Sequence, residues 1–599
     1  MPKSKNTEVD AYIFIKENLK TLGWDTRNPT RNSLGEVYTQ NECSGHPEIK
    51  KCLGNLRPEN IVKLSETCFW VIEAKKKHSD LDKALSEAED YAELINHSNQ
   101  IKAVLISGVA GNQTDGYLIK GRYLQNSKFV PITINGREIS SLVSKEIAKL
   151  ILYTNNPSID DVPIDEKLFL AKAEKINQIL HLGAINKNQR AKVMAALLLA
   201  LIDEVPPNID AAPSVLIDEI NSRAKRVLKK EGKGEFYNFI SISLPPTEDN
   251  HTKYKKALVS TIQELNNLNI RSAMNSGHDV LGKFYEVFLK YGNGAKEIGI
   301  VLTPRHITKW AVEILNVNKH DFVYDPTCGT GGFLVAAFDR VRKDSKEKYL
   351  NEFKKYHLFG VEQEPEVVAL AIVNMIFRGD GKNNIVEGNC FQKNLIKDII
   401  KDKDSNEHVT AVYSTKSNMG EKIITKVLMN PPFALKSGDE KEYRFVQHAL
   451  EQMDDGGLLF SILPASAMFE SGEEKQWRLN SLLKYNTLLS VMTFPPDLFY
   501  PIGVHTIGIF VKKGIPHPTQ QNVFWARIMH DGFLKLKGKR LPNKKEPNEF
   551  EIVTPLLKSF ILNQDFSIEN VPEFYKAAPI NYSDNNLELV PEAVSFPFK

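Results

Sequence analysis

Asp325-Pro326-Thr327-Cys328-Gly329-Thr330-Gly331-Gly332-Phe333 is the stretch on which the fold turns. It lies between the short β-rich run Phe322 to Tyr324 and a helical pattern that opens at Leu334. Glycines at a strand-to-helix turn let the backbone approach a ligand closely and expose the amides of a helix N-terminus. A lone glycine loop is weak evidence, because any tight strand-to-helix turn can use glycine. Working outward, β-rich runs alternate with helical segments from Gly299 to Lys513. The runs are Phe322 to Tyr324, Leu358 to Val361, Val427 to Met429, Leu458 to Leu463, Leu489 to Phe494 and Thr506 to Val511. That alternation predicts an α/β fold of Rossmann-like type, an open and mostly parallel sheet with helices on both faces.

Two further motifs join the loop. Glu362 ends the next predicted strand, where a carboxylate can accept hydrogen bonds from two ribose hydroxyls; a solvated turn acid is the plain alternative. Asn430-Pro431-Pro432-Phe433 then closes the predicted strand Val427 to Met429. A double proline can simply stiffen a loop. At the carboxyl end of a strand, downstream of a glycine loop and a ribose acid, it points to chemistry. The amino group of adenine or cytosine is a poor nucleophile, because its lone pair is delocalised into the ring. The Asn430 side-chain oxygen and the Pro431 carbonyl can accept both amino hydrogens and favour a pyramidal nitrogen aimed at a sulfonium methyl. Phe433 offers a face on which an extruded base can stack. Transfer becomes an in-line displacement governed by proximity.

Residues Gly299 to Lys513 resemble the amino-group DNA methyltransferases, specifically the N6-adenine kind in modification subunits of type I restriction systems and in combined restriction-modification enzymes. Gly299-Ile300-Val301-Leu302-Thr303-Pro304-Arg305 is similar to the segment that touches the methionine end of S-adenosylmethionine. Asp455-Gly456-Gly457 and Phe494-Pro495-Pro496-Asp497-Leu498-Phe499, ending in Gly503, match as well. The glycine loop precedes Asn-Pro-Pro-Phe, which is the gamma order, and Asn-Pro-Pro-Phe points to adenine where Ser-Pro-Pro-Tyr would point to cytosine N4. The resemblance implies a class I methyltransferase fold with Asn430, Pro431, Pro432 and Phe433 at the base. It places Thr303, Pro304, Asp325, Thr327, Gly329, Gly331, Gly332, Phe333, Glu362 and Asn389 at S-adenosylmethionine. Asn389 stands where the family usually carries Asp; an amide still accepts from the exocyclic amine, so a retained site with altered affinity is expected.

The N-terminal part has its own pattern. Val9 to Trp24 reads as a helix stopped by Gly23, and Asn60 to Leu64 and Cys68 to Ala74 as a hairpin. Asp80 to Ile95 is helical and Ile101 to Gly108 is a strand. Glu59 and Glu73-Ala74-Lys75 flank the hairpin. Two carboxylates on adjacent strands can share a Mg²⁺, the Ala74 carbonyl can add an oxygen ligand, and Lys75 can orient and polarise the attacking water. Glu-x-Lys also occurs often by chance as a surface ion pair. The order helix, hairpin, helix, strand resembles the PD-(D/E)xK nuclease domain of restriction subunits, including Glu87-xxx-Tyr91 where that family often has Gln-xxx-Tyr. Glu59 replaces the usual Asp, and Glu36 is a further acid to consider. The resemblance implies catalytic Glu59, Glu73 and Lys75, with Mg²⁺ on Glu59, Glu73 and Ala74.

The 599 residues exceed one domain several-fold, and 42% hydrophobic with 25% charged is globular composition. Four segments are expected: a nuclease-like domain over 1–155, a helical connector over 156–275, the methyltransferase over 276–515 and a C-terminal extension over 516–599. Five scattered cysteines and a start without an apolar signal core point to a reducing cytoplasm. The longest apolar run, Val193 to Ile202, is about half of the roughly 20 residues that span a bilayer. Cys43, His46, Cys52 and Cys68 lack a paired Cys-x-x-Cys and read as ordinary thiols rather than a zinc site. A net charge of +3 leaves DNA binding to local patches. Two candidates are Arg223 to Lys233 and Lys535 to Lys545, each also readable as a solvated face. No Gly-x-x-x-x-Gly-Lys-Ser/Thr loop is present, which argues against an ATP-driven translocase.

The leading expectation is a subunit that methylates adenine N6 in double-stranded DNA and cleaves unmodified DNA, as in type IIB and IIG systems. The alternatives are a modification-only enzyme with an inert nuclease-like domain, and a DNA-bound sensor without catalysis. Only the segment 514–599 follows the methyltransferase core, too little for a large target-recognition domain. A separate specificity subunit is therefore expected, in a hetero-oligomer with more than one copy of this chain. No membrane partner is expected.

Overall fold

Strand periodicity sets the first sheet. On β3 (Cys68–Lys75), Trp70 and Ile72 face a core containing Ile15, Leu19 and Trp24, whereas Phe69 and Val71 face Leu85, Ala88 and Ala92. Both faces are covered, so the strand reads as a continuous apolar run that ends in Glu73. The computed structural model describes residues 8–594 apart from 113–115, 135–136, 140, 158–165, 204, 206, 268–286, 288–301, 380–383, 393–423, 434–437, 500–502, 537–538, 544 and 564–573. The chain divides into two units, Met1–Val227 with Ser241–Val287, and Leu228–Ile240 with Phe288–Lys599.

In the first unit, α1 (Glu8–Thr21), β1 (Val37–Thr39), α2 (Pro47–Leu53), β2 (Asn60–Lys63), β3, α3 (Leu81–Asn96), β4 (Lys102–Asn112), β5 (Gly116–Gln125) and β6 (Lys128–Pro131) build a six-stranded sheet in sequential order. β2 and β3 form the expected antiparallel hairpin, and β3 pairs parallel with β4 through the crossover helix α3. Helices α4 (Lys145–Thr154), α5 (Glu166–Leu182), α6 (Lys187–Ile202), α7 (Pro213–Lys230) and α8 (His251–Asn267) follow. A buried ion pair joins α5 to α8, Lys172 Nζ to Glu264 Oε2 at 2.6 Å, and the Gln263 amide donates to the Tyr117 carbonyl at 2.9 Å. The helical segment thus packs against the N-terminal sheet. Its basic run is partly consumed internally. Arg223 is buried and donates to the Val205 carbonyl at 2.7 Å, and Arg226 grips both oxygens of Asp203. Lys225, Lys229 and Lys230 are exposed.

The second unit includes the short helix Tyr237–Ile240, and the described residues beyond Phe288 open with α9 (Arg305–Ile314). It continues through β7 (Val323–Asp325), α10 (Gly332–Asp344), α11 (Glu347–Tyr356), β8 (Leu358–Glu362), α12 (Pro365–Phe377), β9 (Asn384–Glu387), β10 (Ile424–Met429), α13 (Glu442–Gln452) and β11 (Met453–Pro464). β12 (Asn486–Thr493), β13 (Thr506–Lys513), β14 (Asn522–Arg527), the hairpin β15–β16 (Phe533–Leu536, Lys539–Pro542), α14 (Glu549–Asn563) and β17 (Tyr575–Pro579) complete it. The nine-stranded sheet runs β9-β8-β7-β10-β11-β13-β12-β14-β17. Its first five strands are parallel, and β13 enters antiparallel between β11 and β12. The chain winds outward from β7 to β9 and returns on the other side of β7 at β10. Ligand crevices form at such a switch point, outside the carboxyl ends of the strands. Helix α12 is buried on every side from Val367 to Phe377, as its nearly unbroken apolar sequence requires.

The C-terminal segment is fastened by Arg478, whose fully buried guanidinium donates to the carbonyls of Ala467 at 2.9 Å, Glu470 at 2.7 Å, Asn586 at 3.0 Å and Leu587 at 3.1 Å. Burial lowers its pKa to about 10, so it stays charged at neutral pH. Arg478→Ala leaves several buried carbonyls without donors and is expected to destabilise this unit by about 3 kcal/mol. Thermal unfolding of the variant against the parent measures the loss.

Candidate active sites

The glycine loop leaves β7 at Asp325 and enters α10 at Gly332. Gly329 and Gly331 carry φ of +53° and +80°, the left-handed region in which a side chain is strained. Gly360 on the neighbouring strand answers a different demand, since a Cβ there meets Leu334 Cδ1 at 2.8 Å and Cys328 Sγ at 3.0 Å. The Asp325 carboxylate is 2% exposed and accepts the Thr327 N–H at 3.1 Å; burial pushes its pKa well above the ordinary carboxylate range. Glu362 stands at the end of β8. Its Oε2 accepts the Gly329 N–H at 3.0 Å and its Oε1 accepts Gln363 at 2.8 Å and Glu364 at 3.1 Å. Burial raises its pKa against the pull of those three donors. Asn389, past the end of β9, accepts the Phe391 N–H at 3.0 Å through Oδ1.

Asn430-Pro431-Pro432-Phe433 follows β10 directly. The Asn430 Nδ2 donates to Thr303 Oγ1 at 3.1 Å, while Oδ1 is buried with no hydrogen-bond partner among the described residues. A buried acceptor left unpaired costs about 1–3 kcal/mol, and such strain concentrates where a ligand relieves it. Pro431 is buried and Pro432 exposed. Phe433 is 8% exposed and meets the edge of Phe499 at 5.8 Å between centroids. Phe333, expected at the cofactor, is 3% exposed and packs edge-on to Phe460 at 6.0 Å. Gly299, Ile300 and Val301 lie outside the described residues. Together the left-handed glycines, the acid at the end of β8 and the unpaired amide oxygen at the end of β10 fit a nucleoside sulfonium on one side of the switch point and a planar amino group on the other.

In the first unit Glu59 and Glu73 are both buried, and the Glu59 backbone N–H donates to Glu73 Oε2 at 3.2 Å. Lys75 Nζ lies 3.4 Å from Glu73 Oε1 and 2.5 Å from Glu87 Oε2 of α3, so the sequence-distant Glu87 joins the site. Ala74 is 3% exposed between them. Glu36 is committed elsewhere, accepting the Asp25 N–H at 2.9 Å and pairing with Lys145. Among the described residues, no three His, Cys, Asp or Glu side chains form a metal-holding group. Two carboxylates and a backbone carbonyl still suit a hard divalent ion that completes its shell with water and phosphate. Burial raises the Glu73 pKa against the pull of Lys75. A proton competes with the metal for that carboxylate. Any cleavage supported by Mg²⁺ at this pair is therefore expected, at low Mg²⁺, to fall as pH drops through a value above the usual ~4.3 of glutamate, and added Mg²⁺ to move the midpoint down. Rate profiles at two Mg²⁺ concentrations check this.

The family description N-6 DNA Methylase matches residues 276–585, the glycine loop, Glu362 and Asn430 included. The chain belongs to the N-6 DNA methylase family. It is 30% identical over 491 residues to the type II restriction enzyme and methyltransferase RM.BcgI of Heyndrickxia coagulans, covering 76% of this chain and 72% of that protein. It is 28% identical over 308 residues to the type I restriction enzyme EcoEI methylase subunit of Escherichia coli, covering 51% of this chain and 59% of that one. The type I methyltransferase subunit structure from Streptococcus thermophilus aligns with a TM-score of 0.47 at 17% identity, over 71% of this chain and 98% of that one. Among the described residues no helix is long and apolar enough to cross a membrane.

Within the methylase fold, two polar contacts escaped the sequence reading. Thr303, expected at the methionine end of the cofactor, touches Asn430. Asn374 on α12 is 1% exposed and donates to the Thr330 carbonyl at 3.0 Å, bracing the glycine loop from behind. A single amide in a helix otherwise apolar from Val367 to Phe377 was the available signal.

Proposed function

We propose that the chain is a restriction-modification subunit that methylates adenine N6 in double-stranded DNA and carries a Mg²⁺-dependent nuclease in its first unit. The observation that carries the methylation reading is the buried, unpaired Asn430 Oδ1 at the carboxyl end of β10, on the same sheet edge as the glycine loop. S-adenosylmethionine, when bound, supplies a methyl group made electrophilic by its sulfonium. The glycine loop, the backbone of Thr303-Pro304, Glu362 and Asn389 would hold and orient it. Asn430 Oδ1 and the Pro431 carbonyl accept the two amino hydrogens of an extruded adenine, and Phe433 packs against its ring. With both hydrogens held, the nitrogen lone pair would be freed from the ring to take the methyl group that the cofactor supplies, one amino proton leaving to water. No covalent enzyme intermediate is needed.

The nuclease reading rests on Glu59, Glu73 and Lys75 standing together at the end of β2–β3, and on the similarity to RM.BcgI, named as both restriction enzyme and methyltransferase. In it, Glu59, Glu73 and the Ala74 carbonyl hold the metal and Lys75 orients the attacking water. We extend the proposal to a separate specificity subunit and to assemblies with more than one copy of this chain, because the type I relatives are named methylase subunits. The purified chain alone is then expected to bind random duplex and its own methylation site with equal, steeply salt-dependent affinity. Strong site preference without a second polypeptide refutes the partner.

A further inference from the structure

We infer that Thr303 is a positioning residue for Asn430, fixing which end of the Asn430 amide faces the target base; the inference rests on the methyl-transfer reading above. An amide has a donor end and an acceptor end of nearly the same shape, and only the acceptor end is useful toward an amino group. Turned by half a rotation, Nδ2 would point its hydrogens at the hydrogens of the substrate amine and repel it. Asn430 Nδ2 donates to Thr303 Oγ1 at 3.1 Å, which occupies the donor end and leaves Oδ1 buried and unpaired.

The hydroxyl can do this because it is rigidly held. Thr303 immediately precedes Pro304, whose carbonyl accepts the Ile307 and Thr308 amides in the first turn of α9. That helix is anchored by Trp310, which meets the rings of Phe460, Phe494, Phe510 and Phe550 at 4.9–6.2 Å. A short polar contact is therefore mounted on a stiff element, the arrangement that holds a catalytic side chain in one orientation. Thr303 serves two neighbours, since its backbone segment borders the cofactor and its side chain sorts the amide that receives the base.

The test is a double-mutant cycle with methyl-transfer readout. Thr303→Val keeps the shape but removes the acceptor, and is expected to lower kcat about 10-fold while KM for S-adenosylmethionine stays within about threefold. Thr303→Ser, which retains the hydroxyl, is expected within about threefold of the parent. Asn430→Asp presents an acceptor at both ends and has no wrong orientation, so in that background Thr303→Val is expected to cost less than about threefold. Parent-like kcat in Thr303→Val, a loss confined to cofactor KM, or an equal loss in the Asn430→Asp background overturns the inference. If Asn430→Asp proves inactive, the contrast between Val and Ser at Thr303 decides alone. A parent enzyme that methylates no adenine refutes the proposed function instead, so the two failures are distinguishable.

Discussion

Asn430→Ala is expected to reduce kcat for methyl transfer by about 10²–10³-fold or more while S-adenosylmethionine binding stays within a few-fold of the parent. The reason is that the proposed function has Asn430 facing the base. Its Nδ2 is spent on Thr303 and its Oδ1 is held unpaired. Alanine removes the acceptor that draws the amine hydrogens away from the ring, and the Pro431 carbonyl alone cannot hold both. The cofactor cradle is built from other elements: the Glu362 carboxylate already organises Gly329, Gln363 and Glu364 without help from β10. Single-turnover transfer with labelled cofactor gives the rate and calorimetric titration gives the affinity. A variant that transfers at the parent rate removes Asn430 from the chemistry, and one that fails only because it no longer binds cofactor moves it to the cradle.

Lys75→Ala is expected to reduce the proposed Mg²⁺-dependent cleavage by about 10²-fold or more and to leave methyl transfer intact, because Lys75 and Asn430 lie in different units. Lys75 is the cation within reach of both Glu73 and Glu87. Its loss leaves the Glu73 carboxylate without a counter-charge and the attacking water without its orienting group. Glu73→Ala is expected to act as strongly by removing a metal ligand. Cleavage of unmethylated plasmid is the assay, with methylation of the same plasmid as the internal control. A Lys75→Ala preparation that cuts as fast as the parent shows that the nuclease centre lies elsewhere or does not exist. One such centre hydrolyses one strand, so a double-strand break requires at least two chains acting together.

Much of the second unit was legible because each parallel strand is a short apolar run closed by a polar motif at its carboxyl end. Val361 runs into Glu362 and Met429 into Asn430, and periodicity alone places such residues on one edge of a sheet. The antiparallel entry of β13 between β11 and β12 was not legible, because an apolar run states its burial but not its direction or its neighbours. β9 was not legible because Asn384-Ile385-Val386-Glu387 has only two apolar residues between polar ends. Side-chain fates decided by tertiary partners were equally hidden. Arg223 and Arg226 look like free charge in sequence and become ligands of Val205 and Asp203, Glu36 is taken by Lys145, and Phe333 turns from the glycine loop into the core. In the first unit the hairpin and its Glu73-Ala74-Lys75 end were readable from two β-rich runs separated by the polar Ser65-Glu66-Thr67. Glu87 was placed on a helix, and only the fold brings its carboxylate to Lys75.

The most direct test of the central claim is the identity of the methylated nucleoside. Duplex DNA incubated with the chain, S-adenosylmethionine and the proposed specificity partner is digested to nucleosides and analysed by mass spectrometry. N6-methyldeoxyadenosine that appears with the parent chain and is absent with Asn430→Ala is the predicted result. N4-methyldeoxycytidine, or no methylated nucleoside from an assembly that binds both DNA and cofactor, would contradict it.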